Sequence, residues 1–202
     1  EMQRSLVGSE MCIRDRLKME WRVDEDDSTL DILSQPLTVS ASQKKHLTVK
    51  LPRSMVLHEL DIHTVSADVS VDLTEEDTLT LQELDVSSVS GNVSVSAANA
   101  GEISLSTTSG AVSGSVRTAK LEADTVSGMV ALTLEVLPTE LEVETVSGGV
   151  ALTLTEKPGV PVDVVFRTVS GQLDSDVDST AGADCVWELE TTSGDAVIRI
   201  AA

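Results

Sequence analysis

The chain has 202 residues, 41% of them apolar, which argues against wholesale disorder. Only Trp21, Phe166 and Trp187 are aromatic, so any core must be filled with Val, Leu, Ile and Ala. Fourteen Lys and Arg stand against 34 Asp and Glu, a formal net charge of −20 that repels phosphate backbones and makes nucleic acid an unsuitable partner.

Residues 1–16, EMQRSLVGSEMCIRDR, have no continuous apolar run and no likeness to the rest of the chain. Leu6–Asp15 reads as the in-frame translation of a sequencing-library adapter, so this stretch is expected to be an artefact that stands where native sequence belongs. Any membrane anchor would lie in that replaced segment. Setting it aside removes Cys12 and leaves Cys185 as the single thiol, with no disulfide or thiolate metal site in prospect. Residues 17–50 carry short alternating runs, Trp21/Val23, Leu30/Ile32, Leu37/Val39 and Leu47/Val49, and predict strands that form an N-terminal cap.

Residues 51–202 are a repeat array. TVSGMVALTL at 125–134 returns as TVSGGVALTL at 145–154 with one letter changed. The same corner pair recurs seven times, at Ser66-Ala67, Ser90-Gly91, Ser109-Gly110, Ser127-Gly128, Ser147-Gly148, Ser170-Gly171 and Ser193-Gly194, spaced 18 to 24 residues apart, within the range of solenoid repeats. Two residues before each serine stands a hydroxyl: Thr64, Ser88, Thr107, Thr125, Thr145, Thr168 and Thr191. Counting from the small residue, positions minus seven and minus five are apolar in every copy, as in Leu141 and Val143. Positions plus two and plus four are too, as in Val150 and Leu152, except at Gly114 and Ser175.

The inward parity changes across the motif, so a straight strand cannot run through it. A corner is needed there, and Gly is expected to supply its backbone freedom. Each repeat therefore reads as strand, corner, strand and loop. The implied fold class is all-β, a single-stack parallel β-solenoid of about seven coils with an N-terminal β cap. An antiparallel sandwich is the structural rival, and the fixed corner chemistry argues against it. The last strand, Ala196–Ile200, is expected to leave an unpaired edge that a second copy could join end to end.

Units of this form following HLTVKLP (His46 to Pro52) resemble the bacterial DUF4097 family of adhesin-like β-strand-repeat proteins, over roughly residues 30 to 202. The resemblance implies a β-solenoid, a cell-envelope setting and often an N-terminal membrane-associated region, and carries no demonstrated activity. Ala67 departs from the family's glycine and implies a relaxed first corner.

Few residues invite chemistry. Asp174, Asp176 and Asp178 alternate like the opening of a calcium loop, although Ser179 and Cys185 stand where such a loop wants Gly and Glu. His46, His58 and His63 are expected at the surface or rim, and His58 and His63 have opposite parity, which speaks against a zinc pair. Cys185 is in step with Trp187 and Leu189 and reads as a small core residue. The hydroxyl columns read as backbone partners at the corners, with an exposed Thr array that contacts ice or glycan as the sharper alternative. No catalytic residue and no cofactor are expected. The leading function is a non-enzymatic bacterial envelope module for adhesion, scaffolding or envelope-stress sensing, with a protein or envelope glycan as partner. A scaffold self-assembling through uncapped solenoid ends, which could also be cytoplasmic, is the alternative. A carbohydrate-active enzyme comes third, since it would need a carboxylate pair in a groove with aromatic platforms.

Overall fold

The structure is a computed structural model that describes residues 17–23, 28–34, 56–73 and 80–201. It divides into two compact units, Glu1–Pro52 and Arg53–Ala202. In the first, β1 (Leu17–Val23) pairs antiparallel with β2 (Ser28–Ser34), Trp21 opposite Leu30. The runs Leu37/Val39 and Leu47/Val49, and the adapter-like residues 1–16, lie outside the described residues.

The second unit is the solenoid. Its strands are β3 (Val56–Thr64), β4 (Val69–Asp72), β5 (Thr80–Ser88), β6 (Val93–Thr107), β7 (Val112–Arg117), β8 (Lys120–Thr125), β9 (Val130–Leu134), β10 (Glu140–Thr145), β11 (Val150–Leu154), β12 (Val162–Thr168), β13 (Leu173–Ser175), β14 (Cys185–Thr191) and β15 (Ala196–Ile200). All their pairings are parallel. Strands before the corners form one face in the order β3-β5-β6-β8-β10-β14-β12, and strands after the corners form the other, β4-β6-β7-β9-β11-β15-β13. The 15-residue β6 serves both faces, bending where its register shifts between Val95 and Ala98.

Identical positions stack, so Leu141 lies between Leu121 and Trp187, and Leu152 between Leu132 and Ile198. The core is these inward columns: Leu84, Val86, Ile103, Leu105, Leu121, Ala123, Leu141 and Val143 from one face, Val93, Val95, Val112, Val130, Leu132, Val150 and Leu152 from the other. The alternation continues one step further than the sequence reading took it. Val116, Leu134 and Leu154, six residues past their corners, are also buried.

Both breaks in the pattern have causes. Gly114 has φ 138°, and a Cβ there would lie 1.7 Å from the Val95 carbonyl oxygen, beside the bend of β6. Only glycine fits such a position. Ser175 marks something larger, because the coils do not stack in chain order. β14 pairs with β10 on one side and β12 on the other, and β15 likewise sits between β11 and β13. The last coil in sequence is thus inserted beneath the penultimate one. A terminal coil has one open side, so the coil with polar Ser175, half-buried Val164, Phe166 and Leu173, and a three-residue strand takes that place. The coil carrying fully buried Trp187, Leu189, Ala196 and Ile198 takes the interior.

This corrects the expectation for Ala196–Ile200, which is an interior strand with neighbours on both sides. The outer edge is β12, and the loop after β13 closes back over part of it. The Ser179 hydroxyl accepts from the Val164 N–H at 2.9 Å and donates to the Val164 carbonyl at 3.2 Å, and the Thr180 N–H donates to the Val162 carbonyl at 2.8 Å. Val177, in the same loop, tucks into the core. Edge backbone groups that would otherwise invite another strand are thereby occupied.

Candidate functional site

The corner motif is structural machinery. Thr107, Thr125, Thr145 and Thr191 are buried and only Thr168 of the terminal coil is exposed among the motif's threonines, which breaks up the exposed Thr array. Each of the first three accepts from the N–H of its own corner glycine, at 3.0 to 3.2 Å. Thr107 and Thr125 also donate to the corner carbonyl of the coil before, at 3.1 and 3.3 Å. Ser88 does the same work between Gly91 and Ala67. The serines Ser90, Ser127 and Ser147 donate to carbonyls of Val65, Thr108 and Val126, one coil back.

The reason for glycine at the corners differs from the one expected. None of them has a positive φ; the described glycines that do are Gly114 and Gly182. Space is what matters, since a Cβ at Gly148 would lie 1.6 Å from the Gly128 carbonyl oxygen. Ala67 fits because it is the lowest described corner, and Gly91 packs on its carbonyl from above. The corners also report the stacking order, with Gly194 on Gly148 and Gly171 on Gly194.

Chemically distinctive groups lie instead on the outward side of the first face. Parallel register places Glu122, Glu142 and Glu188 in one column, and Asp124, Glu144 and Glu190 in the next. Like charges directly across neighbouring strands repel. Basic partners sit around these columns: Lys120 pairs with Glu102 at 2.8 Å, and Arg167 with Glu188 at 2.9 Å. A depression between β10 and β14 is lined by Glu140, Glu142, Asp184 and Glu188 with Thr139, Leu141 and Val186, so it offers carboxylates and no aromatic platform for a sugar ring. Within the columns Asp124 is the most strained group. Its Oδ1 is buried without a partner, and burial first, then Glu122, Glu144 and Glu142, push its pKa up to about 6. Glu142 is raised as well, by desolvation and then by Glu144.

Asp124 holds its proton up to about pH 6 in the fold, against 3.8 as the ordinary value. Its destabilising contribution is therefore fully present above pH 6 and is relieved as pH falls through 6 towards 3.8. Asp124→Asn should stabilise the chain at pH 7.5 by about 1 kcal/mol, allowing for the half-exposed side chain. The gain should shrink at pH 4.5. Urea melts at both pH values check this, and an equal gain at both would show that ionisation of Asp124 is not its source.

The calcium-like run Asp174, Asp176 and Asp178 is engaged by an arginine. Asp174 pairs with Arg199, whose guanidinium holds its carboxyl below the usual range. The Asp176 carboxylate accepts from Arg199 at 3.4 Å and from the Ile200 N–H at 3.2 Å. A guanidinium therefore already occupies the place of a cation, and Asp178 does not join the other two. Cys185 is buried in the core, in step with Trp187. His58 and His63 are exposed, and His46 lies outside the described residues. Among the described residues one group of His, Cys, Asp and Glu brings its ligand atoms within 4.8 Å of one another, namely Asp61, His63 and Asp85.

The sequence reading missed the carboxylate columns and this trio. Both occupy outward positions six and four residues before the corner, where the aligned repeats read Asp61/His63, Glu122/Asp124, Glu142/Glu144 and Glu188/Glu190. Reading those positions as columns would have found them.

Among curated proteins and among solved structures nothing matches the chain. The family model described as Toastrack DUF4097 matches residues 10–200. With the repeat columns, the corner machinery and the parallel stack in agreement with that match, the chain belongs to the Toastrack DUF4097 family.

Proposed function

We propose that the chain is a non-enzymatic contact module of the bacterial cell envelope, a stiff β-solenoid that presents a flat acidic face to its partner. The observation that carries this reading is the pair of in-register carboxylate columns on β8, β10 and β14. Such columns weaken the fold that holds them, and a cationic partner is what would repay that cost. The family's envelope setting supports the location. Fractionation of the source bacterium with an antibody to this chain is the test, with recovery in the envelope fraction expected. A chain found wholly in the soluble cytoplasmic fraction would overturn the envelope reading.

Self-assembly through the ends is the competing reading, and the loop over β12 bears on it. Because Ser179 and Thr180 occupy the Val162 and Val164 edge groups, the chain should sediment as one species over a wide concentration range. The double variant Ser179→Ala, Thr180→Pro removes the side-chain partner and the N–H together, and should associate as concentration rises. Strong association of the unaltered chain would favour the scaffold.

A further inference from the structure

Asp61, His63, Asp85 and Ser87 form a second outward group on the first face, on the two coils farthest from the β12 edge. Asp61 lies directly across from Asp85, and His63 directly across from Ser87. Two carboxylates in that relation repel unless a cation sits between them. His63 is two residues beyond Asp61 on the same strand and therefore on the same face. Its Nε2 is 2.9 Å from Asp61 Oδ1, while its Nδ1 hydrogen-bonds the Ser87 hydroxyl.

The two ring nitrogens thus have separate tasks. Ser87 holds Nδ1 and so fixes the ring's orientation, which leaves Nε2 aimed at the carboxylates. Metal-binding histidines are held in this way, one nitrogen on the ion and the other on a neighbouring polar group. The opposite parity of His58 and His63 speaks against a zinc pair along one strand. The pairing that matters runs across strands.

We propose that Asp61, His63 and Asp85 bind a divalent transition-metal ion of the zinc class, with Ser87 as the residue that positions the imidazole. Three ligands of the nitrogen and carboxylate type suit zinc, with water completing four-coordination. Calcium would want six to eight oxygens, which this open trio does not offer. A bound ion would also tie β3 to β5 and relieve the Asp61/Asp85 repulsion.

The test is zinc titration of the full chain by calorimetry at pH 7.5, together with thermal melts in zinc and cobalt absorption spectra. His63→Ala and Asp85→Asn should each weaken the site at least a hundredfold and abolish the zinc-dependent rise in melting temperature. Ser87→Ala should weaken it about tenfold while leaving the cobalt spectrum in place. All three substitutions are on the outward face, and unchanged circular dichroism would confirm that the variants are folded. Equal zinc affinity in the unaltered chain and His63→Ala would overturn the proposal. So would calcium binding as tight as zinc and indifferent to His63, because that would be a bare carboxylate effect.

Discussion

Gly148→Ala should destabilise the solenoid by about 3 kcal/mol or more, while Gly149→Ala one residue later should change stability by less than about 0.5 kcal/mol. The added methyl at 148 would lie 1.6 Å from the Gly128 carbonyl oxygen, 2.8 Å from its carbon and 2.8 Å from the Thr145 hydroxyl. Two of those atoms are backbone, so no side-chain rotation relieves the clash. The coils would have to part locally, stretching the 2.9 Å bond from the Ser147 N–H to the Val126 carbonyl and the 3.3 Å bond from the Val146 N–H to the Thr125 carbonyl. At Gly149 the nearest atom is the Asp195 carbonyl oxygen at 3.6 Å, an ordinary contact. Urea melts of the two variants against the parent provide the comparison. Equal losses would mean that close approach between coils is not why the corner keeps glycine.

The same pair of positions shows what was legible in the sequence. Periodicity of two is a property of each strand alone, so the inward columns could be read off one copy and confirmed on the next, down to Leu141/Val143 and Val150/Leu152. The corner was legible as a location for the same reason. Its cause was not, because the clash at Gly148 is with Gly128, and no single copy contains that contact.

Stacking order was hidden for a deeper reason. Parallel strands present the same backbone groups on both edges, so any coil can in principle sit on any other, and chain order is only the default. What decides is side-chain fit, and the one polar break at Ser175 was the available clue. In a buried coil that serine would meet apolar neighbours above and below. In the terminal coil its hydroxyl accepts from the Val177 N–H at 3.0 Å and donates to the Val177 carbonyl at 2.9 Å. The Asp61, His63 and Asp85 trio needed a comparison between copies for the same reason, since Asp61 and Asp85 are 24 residues apart and meet only through register.

Trp187→Ala should cost about 3 to 5 kcal/mol, the range for a large aromatic removed from a packed core. Trp187 is the largest of the fully buried side chains, stacked between Leu141 and Val164. Its indole N–H donates to the Pro138 carbonyl at 3.0 Å, on the loop that leads into β10. That bond joins the last coil in sequence to the fifth, so the residue contributes to the inserted position of β14 as well as to core volume. Truncation leaves a cavity in layers that are otherwise Val, Leu and Ile, and beside it a carbonyl without its donor. Trp187→Phe separates the two effects. It should restore most of the packing and still lose about 1 to 2 kcal/mol from the orphaned Pro138 carbonyl. Circular-dichroism melts distinguish the variants without depending on tryptophan emission. If alanine and phenylalanine proved equally costly, the hydrogen bond to Pro138 would outweigh the core volume. If both proved mild, the coil carrying Trp187 would have to lie at the open end of the stack, where its loss exposes little.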